Sequence, residues 1–258
     1  MTQFLQKSGL VALLLSGFIA ACGSTETTSD KDLTKEALLG TKPDGSDSKV
    51  YGSYSIVFNE SARTLSANVD LKLGGSTGNG IKISEPNKIQ LNGENLQFHD
   101  TSNSALKIVT SWYFLKKSLQ APAQNYVFTW FQDGKEFTNS LVFALGVSNS
   151  VAQNASIPNN ADFKFSFVGP DLLAKERMTA DIVSQEEFLA ETSSILSTSI
   201  TSGHEFIFTS QEIAKFRKGK ADISLSRFAE GSVQQGHGAG GIVSSKFEAS
   251  PTRVVFAP

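Results

Sequence analysis

VYGSYSIVFNESARTLSANVDLKL, residues 50–73, has a period of two on both sides of a short polar break. Val50, Tyr54, Ile56 and Phe58 alternate with small or polar residues. After 59–63, Leu65, Ala67, Val69, Leu71 and Leu73 resume the alternation. Successive side chains of a strand point to opposite faces, so this pattern predicts two long strands joined by a turn. One face lies on a core and the other faces water.

Working outward from residue 73, GGSTGNG (74–80) is a loop, and Ile81 with Ile83 and Ile89 with Leu91 are short strands around Pro86. Asn92-Gly93 is a two-residue hairpin signal, because both positions tolerate the positive φ that a type I′ turn requires. Leu96 and Phe98 continue beyond it. Leu106, Ile108, Thr110, Trp112 and Phe114 alternate again, as do Tyr126, Phe128 and Trp130. Asp133-Gly134 predicts a second hairpin, leading into Phe137, Val142, Phe143 and Leu145. Such a series of short strands with regular turns resembles an immunoglobulin-like β-sandwich in architecture, although the Cys–Trp–Cys hallmark of antibody domains is absent.

Ser148–Asn160, SNSVAQNASIPNN, is polar and is expected to be a linker. A second block then opens on strictly alternating Phe163, Phe165 and Phe167, stopped by Gly169-Pro170. Met178, Ala180 and Ile182 form another alternating set. Ser184 with Glu187 has the spacing of a capping box and predicts a helix over 185–195. Thr209 with Glu212 has the same spacing, ahead of Ile213-Ala214-Lys215-Phe216, with Gly219 beyond. Ile223 and Leu225 alternate toward Arg227, a Gly-rich loop follows, and strands end the chain at Val254-Val255-Phe256. The expectation is a mostly β protein: two tandem antiparallel β-sandwich domains, 50–147 and 161–258, with one or two short helices.

The N-terminus carries a different signal. Residues 9–21 are uncharged, 13 residues against the ~20 that a spanning helix needs. Lys7 precedes an apolar run from Leu10 to Leu15, and Ala20-Ala21 lead to Cys22, the only cysteine in 258 residues. Length and flanks suit a cleaved secretory segment. Ile19-Ala20-Ala21-Cys22 resembles the lipobox of a bacterial lipoprotein. That resemblance implies cleavage after Ala21, diacylglyceryl attachment at Cys22, and a membrane anchor. Gly23 and Ser24 lack the aspartate that often retains such proteins in the inner membrane, which implies the outer membrane where there is one. Residues 22–49, rich in Ser, Thr, Asp, Lys and Gly, are expected to form a tether. The folded part resembles uncharacterised tandem-sandwich envelope lipoproteins in general pattern only.

Removing residues 1–21 takes away one cation, leaving 22 Lys and Arg against 25 Asp and Glu, a net charge of −3. So mild a balance offers no electrostatic footprint for nucleic acid. With Cys22 acylated no thiol remains, so neither a disulfide nor a cysteine-bound metal is expected.

Each chemical motif has a plainer explanation. Gly74-Gly75-Ser76-Thr77-Gly78 matches the letters of a nucleophile elbow, yet it is followed by a strand pattern rather than the helix the elbow needs. Ser104 and Lys107 have a serine–lysine spacing that a strand would put on opposite faces. His99, His204 and His237 lie far apart in sequence, so no metal site is expected, and surface or half-buried positions are the plain reading. GHGAGG (236–241) lacks the Lys-Ser/Thr ending of a phosphate loop. No cofactor is expected. Among the aromatics, alternation places Trp112 and Trp130 in the core and leaves Tyr113 as the candidate ligand-facing ring.

Two function classes follow. The first is a non-enzymatic envelope protein that binds a protein or glycan partner or has an adhesive or structural role. The second is an anchored hydrolase of peptidoglycan or glycans, using carboxylates drawn from Asp100, Asp133, Asp162 and Glu205. The absence of a catalytic motif favours the first.

Overall fold

The computed structural model describes residues 50–257 apart from 84, 104–107, 133 and 187–193. The signal segment, Cys22, the tether, Ser104 with Lys107, Asp133 and most of the helix expected over 185–195 lie outside the described residues. In chain order the strands are β1 Val50–Asn59, β2 Thr64–Leu73, β3 Asn79–Gly80, β4 Lys88–Leu91, β5 Glu94–Asn95 and β6 Gln97–Asn103. Next come β7 Ile108–Ser118, β8 Asn125–Gln132, β9 Lys135–Val142, β10 Ser148–Asn149, β11 Ala155–Ile157 and β12 Phe163–Val168. The last are β13 Glu176–Ser184, β14 Ile195–Ile200, β15 Glu205–Phe208, β16 Gly219–Ser232, β17 Gly241–Glu248 and β18 Thr252–Phe256. One helix, α1 Ser210–Lys215, lies between β15 and β16, and the Thr209–Glu212 capping box at its start is formed in both directions.

The protein is mostly β, with sandwich-like sheets. A large sheet runs β11-β18-β16-β17-β1-β2-β7-β6, with β13 and β14 joined to β16 and β3 joined to β2. Two small sheets, β5-β4-β8-β9 and β10-β12-β15, complete the fold. Alternation in β1 is strict, with Val50, Tyr54, Ile56 and Phe58 all buried. Tyr54 meets Phe128 of β8 at a ring separation of 5.0 Å, which packs β1 under the four-stranded sheet. Phe256 meets Phe163 and Phe216 at 6.4 and 4.8 Å, which packs β18 under the three-stranded sheet and α1. The buried residues beneath the large sheet, from Val50 through Phe256, form one continuous hydrophobic core cluster.

That continuity differs from two all-antiparallel units joined by a linker. β1 pairs in parallel with β17 from Gly52↔Gly241 to Asn59↔Glu248, linking the two sequence blocks through backbone hydrogen bonds. The expected linker contributes β10, paired with β12, and β11, paired in parallel with β18. Strands of two and three residues carry no measurable period, and their partners are remote in sequence. Neither feature is visible to a local pattern.

The hairpins follow their turn chemistry. Asn92 and Gly93 have φ values of 49° and 85° between β4 and β5, as a type I′ turn demands. The GGSTG segment turns β2 back onto β3, with Lys72 opposite Gly80. It is a hairpin loop, and no helix follows it.

Candidate functional site

Two of the sequence-selected aromatics, Trp112 and Tyr113, fall on opposite faces from those expected. Tyr113 is buried, 5% exposed, and its hydroxyl accepts a hydrogen bond from the Ile83 N–H at 2.5 Å. Trp112 is half-buried on the outer face, stacked on exposed His99 at 5.9 Å. The phase of β7 is set by its neighbour: Tyr113 lies opposite Val69, which is fully buried. Residues directly opposite share a face, so Tyr113 must point inward. Trp130 and Tyr126 are buried, as alternation predicts.

The three histidines do not converge. His99 lies on the outer face of β6. His204 stacks on Phe167 at 4.2 Å, with Nε2 2.6 Å from the Asp171 carboxylate. His237 is not at the surface but in the core, stacked on Trp130 at 5.1 Å, its Nε2 accepting from the Tyr54 hydroxyl at 2.6 Å. Burial pushes His237 down to about 4, against a smaller opposing pull from the Val50 backbone. Burial also raises Tyr54, so its hydroxyl keeps the proton it donates. Two glycines make room for the ring. A Cβ on Gly52 would lie 2.6 Å from His237 Nε2, and Gly236, at φ 86°, is packed against Phe137 and Trp130. The adjoining Gln234 and Gln235 bind β9: the N–H groups of Ser140 and Thr138 donate to their side-chain carbonyls at 2.6 and 2.9 Å. The Gly-rich loop is thus a plug and latch between the two sequence blocks.

The carboxylates have separate structural roles. Asp162 accepts from the Ser210 N–H at 2.7 Å at the start of α1. Glu205 is exposed and pairs in register with Ser166, at the far end of the β12–β15 ladder from Asp162. The Asp100 side chain and Asp133 lie outside what is described. Among the described residues no group of three or more His, Cys, Asp or Glu is placed to hold a metal.

A concavity lies on the outer face of the large sheet, a groove of about 620 Å³ crossing β13, β16, β17 and β1. Its volume falls within the ligand-pocket range of about 300–1,000 Å³. Register builds its floor: Arg177 lies opposite Phe228, Phe228 opposite Lys246, and Lys246 beside Val57. The Arg177 guanidinium carbon stands 4.7 Å from the centre of the Phe228 ring and the Lys246 ammonium 5.2 Å. The ring therefore fixes two cations, one from each neighbouring strand. The next row places Glu230 opposite Ser244 and Ser244 beside Ser55. Lys175, Thr201 and Ser232 also line the groove.

A buried ion pair positions the rim. Arg227, fully buried, donates to the Glu176 carboxylate at 2.5 Å and to the carbonyls of Pro170 and Asp171 at 2.9 and 2.7 Å. Glu176 also accepts from the Leu173 N–H at 2.8 Å. This ties down the 170–176 segment, so that Glu176 points inward while its neighbours Lys175 and Arg177 face the groove. The pair consumes the Glu176 charge. Lys246 is met by Glu248 at 2.7 Å. Burial pushes the Glu248 carboxyl up, but hydrogen bonds from Lys246 and Asn59 outweigh that and hold it below its usual range. With Lys246 paired to Glu248, the groove is left with Lys175 and Arg177 against the Glu230 carboxylate, and this small positive excess among hydroxyls suits the non-covalent binding of an anionic, hydroxyl-bearing group.

Periodicity did not single out Arg177, Phe228 or Lys246. Its one clue is an inversion in β16: Ala221, Ile223 and Leu225 point inward, then the inward position is Arg227 and the outward one Phe228.

No family model matches the chain, and no curated protein matches it. Among solved structures, the titin Ig tandem A164-A165 aligns at 12% identity over 81% of this chain and 95% of its own, with a TM-score of 0.22. DIP-gamma IG1+IG2 aligns at 9% over 81% and 97%, with a TM-score of 0.20. The mouse nectin-like molecule 4 ectodomain aligns at 7% over 81% and 64%, with a TM-score of 0.24. Superpositions this loose carry no functional argument, and the architecture stands on the strand pairings themselves.

Proposed function

We infer that this chain is a lipid-anchored protein of the bacterial cell envelope, held at the outer membrane through Cys22, with a binding role and no turnover chemistry. Its ligand is an anionic, hydroxyl-rich glycan segment seated in the outer-face groove. The observation that carries the binding reading is Phe228 held between Arg177 and Lys246 on a serine-lined floor. The Arg177 guanidinium fixed on the ring is pre-organised for carboxylate or phosphate, Lys246 being already paired with Glu248, and the hydroxyls complement a sugar. The anchor reading is supported by residues 10–22, and acylation supplies the two or more chains that stable anchoring takes.

Binding is tested with the full-length acylated protein in detergent, titrated with an acidic polysaccharide and with a neutral one of the same length. The acidic polymer binds at least about tenfold more tightly, and R177Q/K246Q removes the preference while retaining the wild-type circular dichroism spectrum. Equal affinity for both polymers, or an acidic preference that survives R177Q/K246Q, rejects the groove reading. Metabolic labelling with a fatty-acid analogue tests the anchor separately. Label enters the wild type and not Cys22→Ala; label in both, or in neither, rejects it.

A further inference from the structure

We propose that the outer-face groove continues across the large sheet into an aromatic platform formed by Trp112, Phe114 and His99. An uncharged sugar ring of the same glycan stacks there, so the site reads a chain of pyranose units and not an isolated anion. The proposal rests on the glycan reading of the groove. β7 turns two large rings outward, Trp112 and Phe114, both half-buried. Neither belongs to the core cluster or packs against it. Trp112 stacks on exposed His99 of β6 at 5.9 Å with 16° between the planes, and Phe114 meets the same imidazole edge-on at 5.9 Å.

Register joins the rings to the groove. Paired residues share a face, and one lateral row sets Ser244 beside Ser55, Ser55 opposite Asn68, Asn68 opposite Phe114, and Phe114 opposite Gln97. Ser244 and Ser55 line the groove. Phe114 lies three interstrand steps from Ser244, roughly 14 Å at about 4.8 Å a step. Two hydroxyls, an amide, a ring and a second amide therefore follow one another with no charge in the row. Asp70, two residues beyond Asn68 on β2, is paired with Lys72 at 3.3 Å. A pyranose has a face of C–H groups and a rim of hydroxyls. The rings match the face, while Asn68 and Gln97, each with an amide donor and acceptor, match the rim. An acyl chain would leave both amides unmatched. One glycan that touches groove and platform together gains affinity because the second contact is intramolecular.

The test titrates the full-length acylated protein in detergent with hexagalacturonate and with its fully methyl-esterified, uncharged form. W112A/F114A weakens binding of both hexamers about tenfold or more, whereas R177Q/K246Q weakens only the charged one. W112A/F114A keeps Trp130, whose near-ultraviolet circular dichroism reports an intact core. A second readout needs no variant. The protein has two tryptophans, and Trp130 is 1% exposed, so acrylamide quenches Trp112, and hexagalacturonate shields it. Equal affinities of the wild type and W112A/F114A, or quenching unchanged by saturating hexamer, overturns the platform even where R177Q/K246Q abolishes the acidic preference. Shielding of Trp112 in a wild type with no acidic preference leaves the rings as a sugar site but rejects the groove reading, and with it the continuous site. Shielding that rises with protein concentration in the absence of hexamer assigns the rings to a contact between copies and overturns the proposal, and binding of neither hexamer overturns both readings.

Discussion

The buried His237 ring makes stability depend on pH in a window that one substitution should abolish. The imidazole is 7% exposed, stacked on Trp130 and accepting from Tyr54. Burial holds its pKa at about 4 against an ordinary value of 6.5. The native state therefore keeps His237 neutral where the unfolded chain already binds a proton. A depressed histidine contributes stability that is fully present above the unfolded value. That contribution is lost as pH falls from about 6.5 to about 4, with no further loss from this group below it. A shift of this size corresponds to about 3 kcal/mol, lost at roughly 1.4 kcal/mol per pH unit inside the window. Urea unfolding followed by tryptophan fluorescence at pH 7.5, 6.5, 5.5 and 4.5 measures it, since Trp130 is in contact with the ring. His237→Gln cannot titrate, so the wild-type minus variant stability should shrink steadily across the window. His99 and His204 are present in both proteins and cancel in the difference. A constant difference from pH 7.5 to 4.5 refutes a buried neutral His237, whatever the absolute cost of the substitution.

Two further perturbations probe the frame. Arg227→Met leaves Glu176 buried without its partner and should cost about 3–5 kcal/mol in chemical denaturation. Arg227→Met with Glu176→Leu should recover much of that, because a well-packed apolar pair can replace a buried ion pair; an equally damaging double variant would contradict this. Gly52→Ala places a Cβ 2.6 Å from His237 Nε2 and should cost about 1–3 kcal/mol through overpacking. In a His237→Ala background that cost should fall only in part in a double-mutant cycle, because Tyr54 Cε2 also lies 2.8 Å from the added Cβ, and additive costs would show that the His237 ring is not what fills the space.

Side-chain alternation determined which residues of β1, β8 and β13, and of β2 as far as Leu71, face a core, because a strand's period of two is a local steric property that needs no partner; Leu73, at the end of β2, is exposed. Turn chemistry at Asn92-Gly93 and the Thr209–Glu212 capping box were legible for the same reason: each hydrogen-bonding solution closes within a few residues. Only tertiary structure decided the rest. The phase of β7 depends on Val69 lying opposite Tyr113, so the sequence alone assigned the inner and outer aromatic to the wrong faces. The parallel pairing of β1 with β17 joins segments nearly 190 residues apart in the sequence, and no local pattern encodes a loop closure of that length. The groove arises from Arg177, Phe228 and Lys246, three residues on three strands that become neighbours only through register. The inward Arg227 looks like an error of patterning until Glu176 and two carbonyls are brought around it, because a buried guanidinium is stable only where the fold supplies its acceptors.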